Sequence, residues 1–279
     1  MIQASVIIPS RNRKEYVLDL LSDLRNQTFQ DFETIVVDQS DRYYFLTDCK
    51  YIQDTEVGPN RARKIGIENA SADIIMFLDD DIRVNSDYIE QLVRPILNKE
   101  TVVTAGSICD AQGNYKKTPV NPYYNKDLFV YALFKNPNSP YHRHTLAFPY
   151  GCSAILKSVY NEIGGTDLYF DPHSSGDDYD VAFRLLIHGY TIKYIPEAKI
   201  MHLKAENGGR RGVFSKNGVS SLHYNLCYSI YKNFGIAPFR EYKLVWMYHI
   251  LRSRKFSLYT LKYLYRILRL KPQMFPAQV

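Results

Sequence analysis

Short apolar runs alternate with segments of helical periodicity through the first half of the chain, and this alternation restricts the possible folds most. Residues 6–8 form an apolar run that Pro9 ends. Residues 14–26 then carry apolar side chains at helical spacing, and residues 32–37 form a second apolar run. A strand, a helix and another strand in this order are typical of parallel sheets. We therefore expect an α/β fold in which helices flank a mostly parallel sheet.

Polar residues stand where the predicted strands end. A third apolar run, at residues 74–78, stops at the three aspartates 79–81, and Ser10 and Asp38 follow the first two runs. Ligands of open α/β sheets bind outside the carboxyl ends of the strands. The sequence therefore predicts one polar pocket at this edge of the sheet.

The rest of the chain is less regular. Residues 110–148 are rich in proline, asparagine and tyrosine, which predicts a long insertion or lid. Residues 206–218 predict a glycine-rich loop that carries Arg210 and Arg211, and the chain beyond residue 220 has a helical, aromatic character. Apolar spacing also predicts a helix after Gly58-Pro59, helices over 88–97 and 178–188, and strands over 102–108, 191–195 and 199–203.

Composition excludes several classes of protein. The 279 residues carry a net charge of +6, which is a small excess for a nucleic-acid-binding protein. The uncharged apolar stretch at residues 244–251 is far shorter than the roughly 20 residues that span a bilayer. The four cysteines form no CxxC pair, and the N-terminus lacks the basic segment of a signal peptide. We expect a cytoplasmic globular protein with no nucleic-acid partner.

The three aspartates 79–81 are the sharpest chemical signal in the chain. Neighbouring carboxylates repel one another, and a bound cation would offset that repulsion. Carboxylate oxygens suit Mg²⁺ or Mn²⁺. The alternative is a solvated loop that caps the next helix.

A second acidic group starts the helix predicted over residues 178–188. Its members are Asp177, Asp178 and Asp180. The helix dipole favours acids at this position, so they could serve only as caps. Alternatively, one carboxylate could act as a general base toward an attacking hydroxyl.

One histidine and three arginines each have a structural and a functional interpretation. His202, at the end of a predicted strand, is either a core histidine or an additional ligand of Mn²⁺. Arg63, Arg210 and Arg211 either hold phosphate through planar donors or lie in solvent.

The order of the motifs is more informative than any single motif. It runs VIIPSRNR, VVDQSD, GPNRARKIGI, FLDDDI, FPYGCSAILK, GDDYDVAFRL and MHL with a GGRR loop. Over roughly residues 3–212 the chain resembles the family 2 glycosyltransferases of the GT-A fold. The resemblance implies transfer of a sugar from a nucleotide diphosphate sugar, with inversion at the anomeric carbon, in cell-surface polysaccharide or glycolipid synthesis.

The resemblance also implies roles for individual residues. Asp81, in the DxD region, matches the direct metal ligand, and His202 matches a histidine that helps to hold the metal or the diphosphate. Asp178 matches the catalytic base and Asp177 the neighbouring acid that contacts the acceptor. The expected nucleotide-sugar-binding residues are Pro9, Ser10, Arg11, Asp38, Asn60, Arg63, Asp79, Asp80, Arg210 and Arg211.

Two positions depart from the family pattern. The usual Glu-Asp pair at the catalytic base is Asp177-Asp178 here, and Gln39 replaces a commoner second acid. A catalytically inactive module that binds sugar nucleotides or glycans is the alternative function. A nucleotidyltransferase and a dinucleotide-dependent oxidoreductase fit less well, because VIIPSRNR contains no glycine and no GxGxxG follows the first strand.

The basic charge is concentrated near the C-terminus. Residues 240–279 hold nine basic residues and one acidic residue, a net charge of +8, so the first 239 residues carry −2. Interleaved apolar and aromatic residues predict amphipathic helices that either lie on an anionic membrane surface or cap the catalytic domain. We expect a catalytic domain over residues 1–215, a basic helical segment over 216–279, peripheral association with the inner face of the membrane and a glycan or lipid-linked glycan acceptor.

Overall fold

A computed structural model gives the fold of the chain. It describes residues 1–113, 144–145, 148–171, 174–209 and 218–252, together with 261, 265, 268–269 and 271–274. Most of the predicted insertion at 110–148, the predicted boundary near 215, and both Arg210 and Arg211 lie outside these residues.

Repeated strand and helix units build the first half of the sheet, as the alternation predicts. Strands β1 to β4 pair in parallel in the order β3-β2-β1-β4. The elements are β1 (Ala4–Ser10), α1 (Lys14–Arg25), β2 (Phe32–Asp38), β3 (Lys50–Gln53), α2 (Pro59–Glu68) and β4 (Ile74–Leu78).

The second half extends the same sheet with mixed directions, in the order β4-β8-β6-β9-β5. Strand β8 runs antiparallel to both of its neighbours, whereas β6 and β9 are parallel. The elements are β5 (Ile82–Val84), α3 (Tyr88–Leu97), β6 (Val103–Asp110), β7 (His144–Thr145), β8 (Cys152–Leu156), α4 (Lys157–Glu162), a 3-10 helix (Leu168–Phe170), α5 (Asp177–Ile187) and β9 (Ile192–His202).

The sheet is buried on both faces because alternate strand residues point to opposite layers. Val6 and Ile8 of β1 pack in one cluster with residues of α1 and α3. Ile7 packs in the other cluster, with residues of α2, α4 and α5. The α/β class and the flanking helices predicted from the sequence are thus confirmed.

Strand β9 corrects one prediction. The sequence suggested two short strands around Pro196, but residues 192–202 form one strand. Its pairing with β6 shifts register between Gly106 and Ser107, and the Ser107 hydroxyl donates to the carbonyl oxygen of Pro196 at 2.8 Å. A proline lacks the N–H that the ladder needs, and the register shift accommodates it within the sheet.

The C-terminal helices pack on the rest of the protein. Helix α6 (Gly218–Phe234) and helix α7 (Ile236–Arg252) share a buried cluster with Phe170 and Phe183. Lys232 of α6 lies 3.1 Å from Asp180, which is 1% exposed in its side chain. Across the described parts of the chain, no helix is both long enough and apolar enough to cross a membrane.

Candidate active site

Strand ends and the loops near them enclose a polar cleft at the carboxyl edge of the sheet. The loop after β1, the end of β2, the start of α2, the loop after β4 and the segment after β9 all contribute to it. The lining residues are Pro9, Ser10, Arg11, Arg13, Gln39, Val57, Pro59, Arg63, Asp79, Asp80, Asp81, His202 and Gly209.

The three aspartates of the cleft have different surroundings. Asp79 is the most open, with 43% of its side chain exposed. Asp80 is buried and accepts hydrogen bonds from Ser10 Oγ at 2.9 Å and from Arg13 Nη1 at 2.7 Å. Burial raises the pKa of Asp80 to about 6, although the Arg13 charge and both hydrogen bonds oppose the shift.

Asp81 is buried beside a histidine. Its Oδ1 lies 3.2 Å from His202 Nε2, and its Oδ2 accepts the Ala205 N–H at 3.0 Å. Burial alone would raise the pKa of Asp81, but the His202 contact, the Arg13 charge and the Ala205 hydrogen bond bring the net shift downward. The carboxylate therefore stays ionised at neutral pH.

Asp79, Asp81 and His202 together offer a set of metal ligands. One ligand atom from each lies within 4.8 Å of the others. Two carboxylates and an imidazole suit Mn²⁺ or Mg²⁺ better than a soft metal. These three residues fit a divalent cation, and Asp79 joins the ligands that the sequence suggested.

Gly151 leaves room for Asp79. A Cβ at position 151 would lie 2.5 Å from Asp79 Oδ2. A side chain here would therefore force the carboxylate out of its position. The glycine of the FPYGCSAILK motif, for which the sequence offered no role, thus has a steric one.

Arg63 connects the two acidic groups that the sequence singled out. Its Nη1 donates to Asp177 Oδ2 at 2.8 Å, and its Nη2 lies 3.9 Å from Asp79 Oδ1. The guanidinium carbon is 4.0 Å from the centre of the Tyr150 ring. Burial lowers the pKa of Arg63, but Asp177, Tyr150 and Asp79 raise it to a net upward shift, so the side chain remains a cation.

The second acidic group begins helix α5. Asp177 is 6% exposed and faces Arg63, whereas Asp178 is half-buried and accepts the N–H of Tyr179 at 3.0 Å. Asp180 points away toward Ser229, whose Oγ donates to it at 2.9 Å, and toward Arg184. The three acids thus have three different sets of neighbours, and Asp177 contacts Arg63, which lines the cleft.

Asp38 and its neighbour Gln39 have separate contacts. Asp38 is buried and accepts hydrogen bonds from Ser40 Oγ at 2.6 Å and Tyr51 OH at 2.8 Å. Gln39 lines the cleft and binds both the N–H and the carbonyl oxygen of Gly58. The amide that replaces a commoner acid therefore holds the loop before α2 through both a donor and an acceptor.

The remaining predicted residues lie as follows. Pro9 and Arg11 line the cleft, and Arg11 Nη2 lies 3.4 Å from Asp41 Oδ1. Asn60 is buried beside the cleft, where its Nδ2 donates to Ser174 Oγ at 2.9 Å.

Sequence reasoning missed two residues of the cleft region. Arg13 contacts the acidic group, and the last position of VIIPSRNR was the available signal. Asp171 accepts the backbone N–H groups of Asn60 and Arg61 and so caps helix α2. No local pattern could have paired Asp171 with a helix 110 positions earlier.

Comparison with known sequences gives a family match for the chain. The profile described as Glycosyl transferase family 2 matches residues 5–164. An uncharacterized glycosyltransferase of Haemophilus influenzae is 31% identical over 126 residues, or 40% of this chain and 50% of that protein. The GalNAc(5)-diNAcBac-PP-undecaprenol beta-1,3-glucosyltransferase of Campylobacter jejuni is 27% identical over 133 residues, or 42% of each chain. The chain thus spans half or less of the length of these relatives.

Solved structures share the fold at low identity. Staphylococcus aureus TarS 1-349 in complex with UDP-GlcNAc superposes with a TM-score of 0.65 and 16% identity, over 95% of this chain and 79% of that one. GalNAc-T7 with UDP, GalNAc and Mn²⁺ superposes with a TM-score of 0.64 and 16% identity, over 96% of this chain and 55% of that one. The GT-A fold expected from the motifs is therefore confirmed.

Proposed function

Because the chain belongs to glycosyl transferase family 2, we propose that it is an inverting enzyme that transfers a sugar from a nucleotide diphosphate sugar to an acceptor hydroxyl. The observation that carries the proposal is the position of Arg63 between Asp79 and Asp177. This buried cation joins the candidate metal ligands to the helix that bears the candidate base. Donor and acceptor groups would thereby meet within one cleft.

The donor nucleotide would bind at the carboxyl ends of β1 and β2. Pro9 and Ser10 end β1 and Arg11 follows them, with Asp38 at the end of β2 and Asn60 at the start of α2. Arg63 offers positive charge toward the diphosphate, and Asp79 and Asp80 would lie near the ribose. We also propose that Arg210 and Arg211 approach the phosphates of the donor.

Asp79, Asp81 and His202 would hold one Mn²⁺ or Mg²⁺ ion. Such an ion stabilises negative charge that develops on a leaving diphosphate. Asp80 already binds Ser10 and Arg13 and is not needed as a direct ligand.

Asp178 would act as the general base. Its carboxylate would take the proton of the acceptor hydroxyl while that oxygen attacks the anomeric carbon. The bond from the anomeric carbon to the phosphate oxygen breaks on the opposite side, so the configuration inverts. For Asp177, we propose that it orients the acceptor side of the cleft while it holds Arg63.

Replacing the base and the ligand tests this assignment. Asp178→Asn should lower kcat for sugar transfer by at least about 100-fold and leave binding of the nucleotide diphosphate unchanged. Asp81→Asn should abolish the Mn²⁺-dependent part of nucleotide binding. Unchanged transfer by a folded D178N protein would refute the base, and a wild-type protein that binds nucleotide but never transfers or hydrolyses a donor would favour the inactive binding module.

The acceptor is proposed to be a glycan or lipid-linked glycan at an anionic membrane surface. Apolar side chains in the basic C-terminal segment support this, because Leu244, Leu261, Tyr265 and Leu268 are each at least 50% exposed. Exposed apolar groups next to basic residues are typical of segments that lie on a membrane. The enzyme would then act in polysaccharide or glycolipid synthesis.

A further inference from the structure

Arg13 contacts two parts of the cleft that are far apart in sequence. Its Nη1 donates to Asp80 Oδ1 at 2.7 Å and lies 3.3 Å from Asp81 Oδ2. Its Nε donates to the carbonyl oxygen of Asn207 at 3.0 Å. One guanidinium thus joins the acidic group after β4 to the segment after β9.

That segment, residues 203–209, is attached to the acidic group at further points. The N–H of Leu203 donates to the carbonyl oxygen of Asp81 at 2.9 Å, and the N–H of Ala205 donates to Asp81 Oδ2. At its other end, Gly209 N–H donates to the carbonyl oxygen of Arg11 at 2.8 Å. The 203–209 segment therefore lies across the acids and ends on the loop that carries Arg13.

Glycines let the 203–209 segment approach Arg13 closely. Gly208 and Gly209 have φ values of 72° and 54°, in the left-handed region that glycine adopts without strain. A Cβ on Gly208 would lie 2.7 Å from Arg13 Cγ, and one on Gly209 would lie 2.7 Å from Arg13 Cζ. The backbone of this segment is thus fitted to the arginine side chain.

The backbone before Arg13 is also held in place. Asn12 has a φ of 55°, and its Nδ2 donates to Asp41 Oδ2 at 2.7 Å while its Oδ1 accepts the Asp41 N–H at 3.0 Å. Arg13 itself is only 9% exposed in its side chain. The guanidinium therefore extends from a fixed backbone into a nearly closed space.

The charges around Arg13 favour a bound cation. Three aspartates and Arg13 leave a net charge of −2, which one divalent cation would balance. Asp81 Oδ2 already accepts the Ala205 N–H and forms an ion pair with Arg13 Nη1 at 3.3 Å. A cation on Asp81 would compete with these donors for the same carboxylate.

We propose that Arg13 is a positioning residue that couples cation binding at Asp79, Asp81 and His202 to the 203–209 segment. The coupling passes from Asp81 through Nη1 to Nε and the Asn207 carbonyl. It rests on the proposed function only in requiring that the three residues bind a divalent cation.

Hydrogen exchange with Mn²⁺ alone tests the coupling. In the wild type, Mn²⁺ should change the exchange rate of the amides at residues 207–209, the part of the segment that Arg13 contacts, by about fivefold or more. Arg13→Lys keeps the positive charge and loses the Nε donor. This variant should bind Mn²⁺ within about threefold of the wild-type affinity, yet its amides at 207–209 should no longer respond. The amides of Leu203 and Ala205 donate to Asp81 directly and should still respond.

Two matched variants complete the experiment. Arg83→Lys alters an arginine that pairs with Asp23 through two hydrogen bonds outside the cleft, and it should keep the full Mn²⁺ response. Gly208→Ala, which separates the segment from an intact Arg13, should keep Mn²⁺ binding and lose the response. If R13K proves unstable, Gly208→Ala still tests the coupling.

The outcomes separate the two claims. A wild type that fails to bind Mn²⁺ would remove the cation from the proposed function and the coupling with it. If Mn²⁺ binds and R13K or G208A responds like the wild type, the coupling is wrong and the metal site stands. Loss of the response in R83K as well would also overturn it, because any weakened arginine pair would then have the same effect.

Discussion

At the scale of single residues, chemically identical side chains are differentiated by their neighbours. Asp79 is open to the cleft, Asp80 is buried against Arg13, and Asp81 is shared between His202 and a backbone amide. The sequence predicted that these acids lie together at a strand end. The family resemblance distinguished Asp81 as a metal ligand, but the local sequence could not predict the surroundings of each acid, because these depend on residues that arrive from other elements.

Gly151 allows a direct test of the position of Asp79. Gly151→Ala places a methyl group within 2.5 Å of Asp79 Oδ2, so the carboxylate must move. We expect Mn²⁺ affinity to fall by about tenfold, which corresponds to about 1.4 kcal/mol. Isothermal titration of Mn²⁺ into the folded variant measures the change.

A double-mutant cycle supplies the control for this prediction. In an Asp79→Ala background the methyl group meets no carboxylate, so G151A should weaken Mn²⁺ binding little further. Equal losses in both backgrounds would show that the alanine disturbs the cleft by another route.

At the scale of elements, the sequence predicted those with strong local patterns. Strand β4 is a continuous apolar run and helix α1 has apolar residues at helical spacing, and both are found within a residue of their predicted ends. Strands β3 and β5 were missed because they are only four and three residues long. Strand β8 was recognised as a motif but not as a strand, since Gly151 precedes it and its small residues give no clear period.

Arg63 holds helices α2 and α5 together, and its removal should be costly. Arg63→Met keeps much of the side-chain volume over Tyr150 but leaves the buried Asp177 without its cation. We expect the free energy of unfolding to fall by about 3 kcal/mol, and the double variant with Asp177→Asn to recover part of that loss. Urea unfolding followed by circular dichroism measures both.

An exposed arginine provides the comparison for Arg63. Arg94 pairs with Glu90 one turn away in α3, and 58% of the Arg94 side chain is exposed. Arg94→Met should therefore cost only about 0.5 kcal/mol. If R63M is no more destabilising than R94M, the pair with Asp177 does not hold the two helices together.

At the scale of the whole molecule, helix α7 both completes the core and begins the basic C-terminal segment. Phe239 and Tyr242 of α7 are buried, whereas Arg240 and Leu244 of the same helix are exposed. The sequence left open whether this segment caps the catalytic domain or lies on a membrane. A helix with one face in the core and the other in solvent is compatible with both.

Binding to anionic vesicles tests the outward face. Arg240→Gln and Arg269→Gln should each weaken partition to phosphatidylserine vesicles at low salt by about fivefold, because each basic residue near the surface contributes about 1 kcal/mol. Binding should also fall steeply in 1 M salt, where the Debye length is about 3 Å. Co-sedimentation measures both effects.

Arg25→Gln controls for net charge in the vesicle experiment. Arg25 lies at the end of α1 and pairs with Asp48 on an exposed surface. Its replacement therefore removes one positive charge outside the C-terminal segment. It should leave partition nearly unchanged. An effect equal to that of R240Q would mean that total charge, and not the C-terminal segment, governs the attraction.

The pairing of β5 with β9 determines when the cleft can form during synthesis. Ile82, which follows Asp81, lies opposite His202, 120 positions later, and the Asp81 and His202 side chains meet across that pair. Contacts between such distant positions form late, because a long loop must close first. A ribosome must therefore deliver the chain at least as far as residue 202 before a nascent chain can assemble Asp79, Asp81 and His202 together. A partly synthesised chain would not capture a cation through this full set of ligands.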